Sequence, residues 1–397
     1  MTSIQLSDKN RMLRLILLIG FLVIAVIAFT IGLNAALETE DGWAVVESLS
    51  SEMNCSTDFV FSYCYGTGEL SATQEKKQLT TLYSQAVEDA YRIFNTDVEL
   101  INQAVNQEIT VDPALYQALS LVQQYGNRNL YLGPVYTEYN RIFISPTEAD
   151  AAYFDPGQNP ELVPYIAELS AFANDPAMVD IRLLGDNRVC LFVAQPYLDF
   201  ASEYEITEFL DFGWMRNAFI ADYLAQTVSS AGFTCGYLSS YDGFTRNLDD
   251  RGVEFSMNLF DRLDNSIYLA GAMQYTKPIS IVFLRNYPLV EKDSYHYYAF
   301  TGGRVVSVMV DPADGMSKSA TDNLVSYAYD AGCAEVLLRQ IPVFIADTLD
   351  EAALEEMKEA GVYSIWFENT DLYCNDPQLQ ITINRESDVV YTPAAIN

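Results

Sequence analysis

The chain has 397 residues and a formal charge of -32 at pH 7, with half its residues hydrophobic and 13% aromatic. That apolar content is too high for a disordered acidic tail and sufficient for a packed core. A field of this sign repels nucleic acid and anionic lipid and slows any phosphate-bearing ligand, so nucleic acid is excluded as a partner.

The first element in chain order is residues 15–33, a run without a charged side chain that the apolar residues 35–37 extend. A span of this kind needs about 20 residues. Lys9, Arg11 and Arg14 precede the run, while Glu38, Glu40 and Asp41 follow it. This asymmetry predicts a cytoplasmic stub at 1–14, a transmembrane anchor at 15–37, a stalk at 38–54 and an extracytoplasmic domain at 55–397. A retained anchor is favoured over a cleaved signal peptide, because the run is long and lacks a good small-x-small cleavage site. The chain is thus expected in the cell membrane as a single-pass protein.

Exported cysteines are permitted to pair, and none of the six lies in a CxxC spacing. Cys55 and Cys64 are close enough in sequence to staple the first strand of the domain. Cys190, Cys235, Cys333 and Cys374 read equally well as buried thiols.

Past the stalk, 56–68 reads as a strand and 72–94 as an amphipathic helix, with Leu79, Leu82, Ala86, Ala90 and Ile93 at helical spacing. Asp112 and Pro113 supply an N-cap and a first-turn proline for a helix ending at Gly126. A helical excursion is expected over 147–176. Strands follow at 179–184 and 189–194, a helix over 217–231 and a strand-turn segment over 234–244. The last third is expected to place strands at 280–283, 305–310, 364–367 and 380–383 around helices at 320–340 and 349–360. Helices and strands mix without a βαβ rhythm, so the fold class is α+β rather than doubly wound.

Several chemistries are disfavoured. The single histidine, His296, sits in the aromatic run YHYYAF and reads as a structural imidazole. No GxSxG, HExxH or GxGxxG occurs, and the segment from Gly315 to Ser319 lacks the glycine before lysine that a phosphate-cradling loop needs.

Three ordered segments resemble the ApbE family, the FAD:protein FMN transferases. Residues 211–222, DFGWMRNAFIAD, resemble the family's DLGGIAKGYAVD. Residues 308–315, VMVDPADG, resemble HIIDPRTG, and 334–339, AEVLLR, stand at the place of ADALAT. Upstream, FNTDVELIN with Asn102 and the glycine-proline turn at 132–135 echo further family segments. The resemblance implies a two-lobed mixed sheet-and-helix domain of T-fold-like form behind the membrane helix. It also implies FAD, magnesium, and a protein partner at the cell surface whose threonine accepts FMN. By the same resemblance, Asp211, Gly213, Arg216, Asp242, Pro312 and Gly315 would contact the cofactor, Asp311 would be catalytic, and Glu335 would bind metal.

The departures fall on the chemistry. Asn217 stands at the family's lysine, Trp214 at its second glycine and Val308 at its histidine, and the glycine turn NLGGD becomes the segment from Tyr237 to Asp242. Glu335 and Arg339 replace the aspartate and threonine that ligate the metal. Their i,i+4 spacing lets them pair on one helix face, and arginine cannot ligate a cation. The expected function is a degenerate, membrane-anchored homologue acting as a binding or accessory protein, with an active transferase as the alternative. Structural roles compete at each position: a helix cap for Asp211, a type I turn for Asp311 to Gly315, and an ion pair for Glu335.

Overall fold

The computed structural model describes residues 39–394. The expected anchor at 15–37 lies outside them, and among the described residues no helix is long and apolar enough to cross a membrane.

The architecture is α+β. A nine-stranded sheet runs in the order β1 (Gly42–Val45), β2 (Phe59–Tyr65), β6 (Gly236–Ser240), β7 (Phe244–Asn247), β10 (Ile279–Arg285), β13 (Asn323–Ala328), β14 (Tyr363–Glu368), β15 (Asp371–Cys374) and β17 (Thr392–Ala394). Neighbours pair antiparallel except β15 with β17, which run parallel. A three-stranded sheet of β8 (Phe255–Leu263), β9 (Ser266–Tyr275) and β16 (Gln380–Ile383) forms a second layer. A third sheet joins β3 (Glu108–Thr110), β4 (Val179–Gly185) and β5 (Arg188–Val193), and β11 (Tyr297–Ala299) pairs with β12 (Val305–Ser307).

The helices are α1 (Ala72–Tyr91), α2 (Asp97–Gln103), α3 (Pro113–Gln124), α4 (Gly133–Phe143), α5 (Glu148–Phe154), α6 (Val163–Asn174), α7 (Gln195–Glu203), α8 (Arg216–Ser230), α9 (Cys333–Phe344) and α10 (Glu351–Glu359). A wide π turn, Arg92–Thr96, carries α1 into α2, so the expected helix 72–94 is longer than its apolar period suggested. The capping of α3 is as the sequence indicates, with the Asp112 side chain accepting from the Ala114 amide at 2.9 Å.

The large sheet is buried on both faces, and β10 shows why. Its Val282 and Leu284 join the helix-side core, while Ile279, Ile281 and Phe283 join the core under β8, β9 and β16. Strands covered on both faces lose polar alternation and read as continuous apolar runs. This accounts for one correction: residues 320–328, expected as the first half of a helix, contain the fully buried strand β13, and helix begins only at Cys333. Strands β8 and β9 have no counterpart among the expected elements. Within the segment read as a stalk, Gly42–Val45 pairs with β2, and Trp43 packs edge-on against Phe255. All six cysteines are free thiols, so the staple between Cys55 and Cys64 does not form.

Candidate functional site

The resemblance-bearing residues fall into three places. The first surrounds the N-terminus of α8. Asp211 accepts hydrogen bonds from the Gly213 amide and the Arg216 guanidinium, each at 2.9 Å. Arg216 also donates to the side chain of Asn95. Gly213 is required twice over: its φ is +52°, and a Cβ would stand 2.7 Å from the Tyr136 ring. The segment before Asp211 is clamped by Asn102, which accepts from the Phe209 and Leu210 amides and donates to the Leu210 carbonyl. Gly133 packs so closely that a Cβ there would meet the Glu208 carbonyl at 2.7 Å. A cavity of about 360 Å³ opens here, bounded by Asn95, Glu99, Asn102, Glu208, Asp211 and Arg216. Burial and the neighbouring Asp211 hold the Glu208 carboxyl above the usual range.

On the other side of Arg216 and Asn217 lies a second cavity of about 300 Å³, lined by Asp58, Asn217, Tyr241, Asp242, Lys292 and Tyr295 among others. Asn217 donates to one Asp242 oxygen at 2.9 Å, while the other oxygen is buried without a hydrogen-bond partner. Burial pushes Asp242 up to about 6, although Ser240, Asn217 and Arg285 pull it back. Asp58 is also raised by burial, partly offset by Arg216 and Lys292. The Lys292 ammonium sits 4.1 Å from the Tyr241 ring centroid, a cation–π contact that closes one wall. His296 packs against the Tyr295 ring at a tilt, and burial, with Arg285 and Arg216 nearby, pushes its imidazole down to about 3. It stays neutral at physiological pH.

The second place is the turn from Asp311 to Gly315. The Asp314 and Gly315 amides both donate to the Asp311 carbonyl, and the Asp311 side chain accepts from the Ala313 amide. Asp311 and Asp314 grip Lys318 at 2.9 and 2.7 Å. The turn is stapled to α6: Asn174 donates to the Pro312 carbonyl, and a Cβ on Gly315 would collide with Ile166 and Ser170. The turn is thus held entirely by protein groups. Asn129 ties it to the first place, since its side chain donates to the Val310 carbonyl and its own carbonyl accepts from Tyr136.

The third place is the start of α9. Glu335 accepts from the Tyr125 hydroxyl at 2.7 Å and from Arg339 at 3.0 Å, and the Arg339 guanidinium lies 5.0 Å from the Tyr125 ring centroid. Burial first, then Glu335, pushes the Tyr125 hydroxyl up to about 12. Beside it Asp222, the last residue of the first resembling segment, caps α9 by accepting from the Cys333 and Ala334 amides at 2.8 and 2.9 Å. It also pairs with Arg246 at 3.4 Å. Only glycine at 332 leaves room for this carboxylate.

The structure therefore gathers Asp211, Gly213, Arg216 and Asp242 about the start of α8, with Asp311, Pro312 and Gly315 on a separate turn and Glu335 beside Asp222. Sequence reasoning missed Asp58, Asn95, Asp222, Lys292 and Tyr125 as site residues. For Asp222 a signal existed, an aspartate on the inward face of an apolar helix that ends a resembling segment. For the others nothing local marks them.

A divalent metal does not fit these donors. Magnesium wants near-octahedral oxygen ligation, yet both Asp222 oxygens already accept from amides, and one Glu335 oxygen accepts from both Tyr125 and Arg339, which sets a fixed cation beside it. Among the described residues no group of three or more His, Cys, Asp or Glu side chains converges as a metal site.

No protein-family profile matches the chain, and no curated protein matches it either. Solved structures do. The ApbE protein of Thermotoga maritima superposes with a TM-score of 0.58 at 9% identity, covering 86% of this chain and 97% of that one. The flavin transferase ApbE from Vibrio cholerae superposes with a TM-score of 0.55 at 11% identity over 87% and 98%. The chain has the ApbE fold.

Proposed function

We propose that this ApbE-fold chain is a membrane-anchored extracytoplasmic protein whose flavin-transfer site is degenerate, and that it acts as a binding or accessory protein toward a partner at the cell surface. The observation that carries the reading is the Glu335–Arg339 pair. In the Vibrio cholerae protein the fold serves flavin transfer; here a guanidinium stands where the resemblance puts the metal, and the neighbouring Asp222 has no free oxygen to offer a cation. Two further features agree. The cavities flanking Arg216 and Asn217, about 360 and 300 Å³, are each at the small end of the range for ligand sites. Tyr241 belongs to the segment that resembles the family's glycine turn, and Lys292 packs on its ring.

What the residues can do without a metal is hold a hydrogen-bond donor. Thr57, Asp58 and Asp242 line the smaller cavity, and Asp242 has an oxygen without a partner just beneath its wall. Mixing the full chain with FAD, magnesium and an acceptor protein carrying the flavinylation threonine should give no covalent flavin fluorescence on a denaturing gel. Strong labelling of the acceptor overturns the proposal.

One observation favours a second reading, an active FMN transferase. A carboxylate raised to about 6 beside a cavity is suited to proton abstraction near neutral pH. In that case Asp311 and Glu335 work in altered roles, and Glu335→Gln abolishes the labelling. A variant that labels as well as the parent removes this reading.

A further inference from the structure

Strands β2 and β6 bring together two cysteines distant in sequence. Their register pairs Tyr63 with Gly236, and one step further the Cys64 amide donates to the Cys235 carbonyl at 2.8 Å. Directly opposed residues on antiparallel strands have Cα atoms about 4.5–5.5 Å apart. A disulfide needs roughly 4.4–6.8 Å. Both thiols are half-buried, which leaves them open to a small reagent, whereas Cys55 and Cys333 are enclosed.

A charged group stands at the pair. The Arg251 guanidinium lies near both sulfurs. It is fixed there by Asp249, fully buried, which accepts from its Nε at 2.9 Å and from a terminal nitrogen at 2.5 Å. The attacking species in disulfide exchange is the thiolate. The Tyr63 hydroxyl completes the cluster beside Cys235. On the opposite flank of β2, Trp43 stands directly across from Cys64.

We infer that Cys64 and Cys235 are a site of covalent modification, forming a cross-strand disulfide by exchange with a disulfide oxidant. The Cys64 thiolate attacks one sulfur of the oxidant, breaking its S–S bond and releasing one thiolate that takes up the proton Cys64 lost. The Cys235 thiolate then attacks the Cys64 sulfur, expelling the second oxidant half, which takes up the proton from Cys235. Two protein thiols are oxidised by two electrons, and one disulfide is reduced to two thiols. The new bond closes the chain between β2 and β6, a long loop, and so stabilises the fold against unfolding.

The test uses the full chain, equilibrated with oxidised glutathione at pH 8, alkylated, digested without reductant and read by mass spectrometry. A peptide joining Cys64 to Cys235 is expected, with the other four cysteines alkylated. The melting temperature of the oxidised chain should exceed that of the reduced chain by about 5 °C or more. Cys64→Ser should leave Cys235 alkylated and remove the melting shift. Alkylation of all six thiols in the parent, or a link between any other pair, overturns the inference.

Discussion

Asp242 and Glu335 stand at two positions that resemble one family's nucleotide and metal sites, yet their surroundings differ. Asp242, which lines a cavity, meets one side-chain donor, Asn217, and keeps its second oxygen buried without a partner. Glu335 instead accepts from a hydroxyl and a guanidinium on one oxygen, Oε1, and the arginine is held in turn against a tyrosine ring. A carboxylate paired in this way has little to gain from an external cation, whereas one buried with spare hydrogen-bonding capacity carries a cost that a ligand can offset. Glu335 is thus the closed end, charge-paired by the protein itself, and Asp242 the open end, with a buried oxygen left without a partner.

The largest expected effect comes from breaking the support beneath the open end. Gly213→Ala places a methyl against the Tyr136 ring at a positive φ and should cost about 4 kcal/mol in urea unfolding. A loss under 1 kcal/mol would show that the turn relaxes freely.

Next is the pH dependence of Asp242. Its folded pKa, about 6, is raised from 3.8, so between these values the folded chain holds a proton that the unfolded chain has released. The stability this provides is fully present below pH 3.8 and is lost as pH rises through 6. The loss is on the order of 3 kcal/mol. Asp242→Asn should therefore flatten the stability profile between pH 4 and 6 and stabilise the chain at pH 7. Parallel profiles for variant and parent would refute the assignment.

The smallest effect sharpens the contrast from the closed end. Arg339→Ala removes the cation paired with Glu335, so millimolar magnesium should raise the melting temperature of the variant by about 1–2 °C while leaving the parent unmoved. Equal responses would mean that the arginine does not exclude the cation.

Much of this contrast was legible in the residues, because it depends on identity and spacing. Glu335 and Arg339 are four apart on a helix, and their pairing follows from that spacing. The turn at Asp311 likewise follows from proline in its second position and glycine at its close. Asp242 was marked for its place but not for its raised carboxyl, which comes from burial that only the folded chain supplies. Strand β13 was misread because every side chain in it is buried, so no polar face remained to reveal a period of two. The wide turn that lengthens α1 and the clamp made by Asn102 depend on contacts far away in sequence, which no local pattern encodes.

The order of the large sheet places the first and last strands of the described chain, β1 and β17, at its two margins. They span four and three residues, so the rows of backbone donors and acceptors left open to solvent are short. A foreign strand finds little on which to extend the ladder, and the longer β2 is shielded by the segment leading into the domain. The ends of the described chain thereby guard the sheet against self-association.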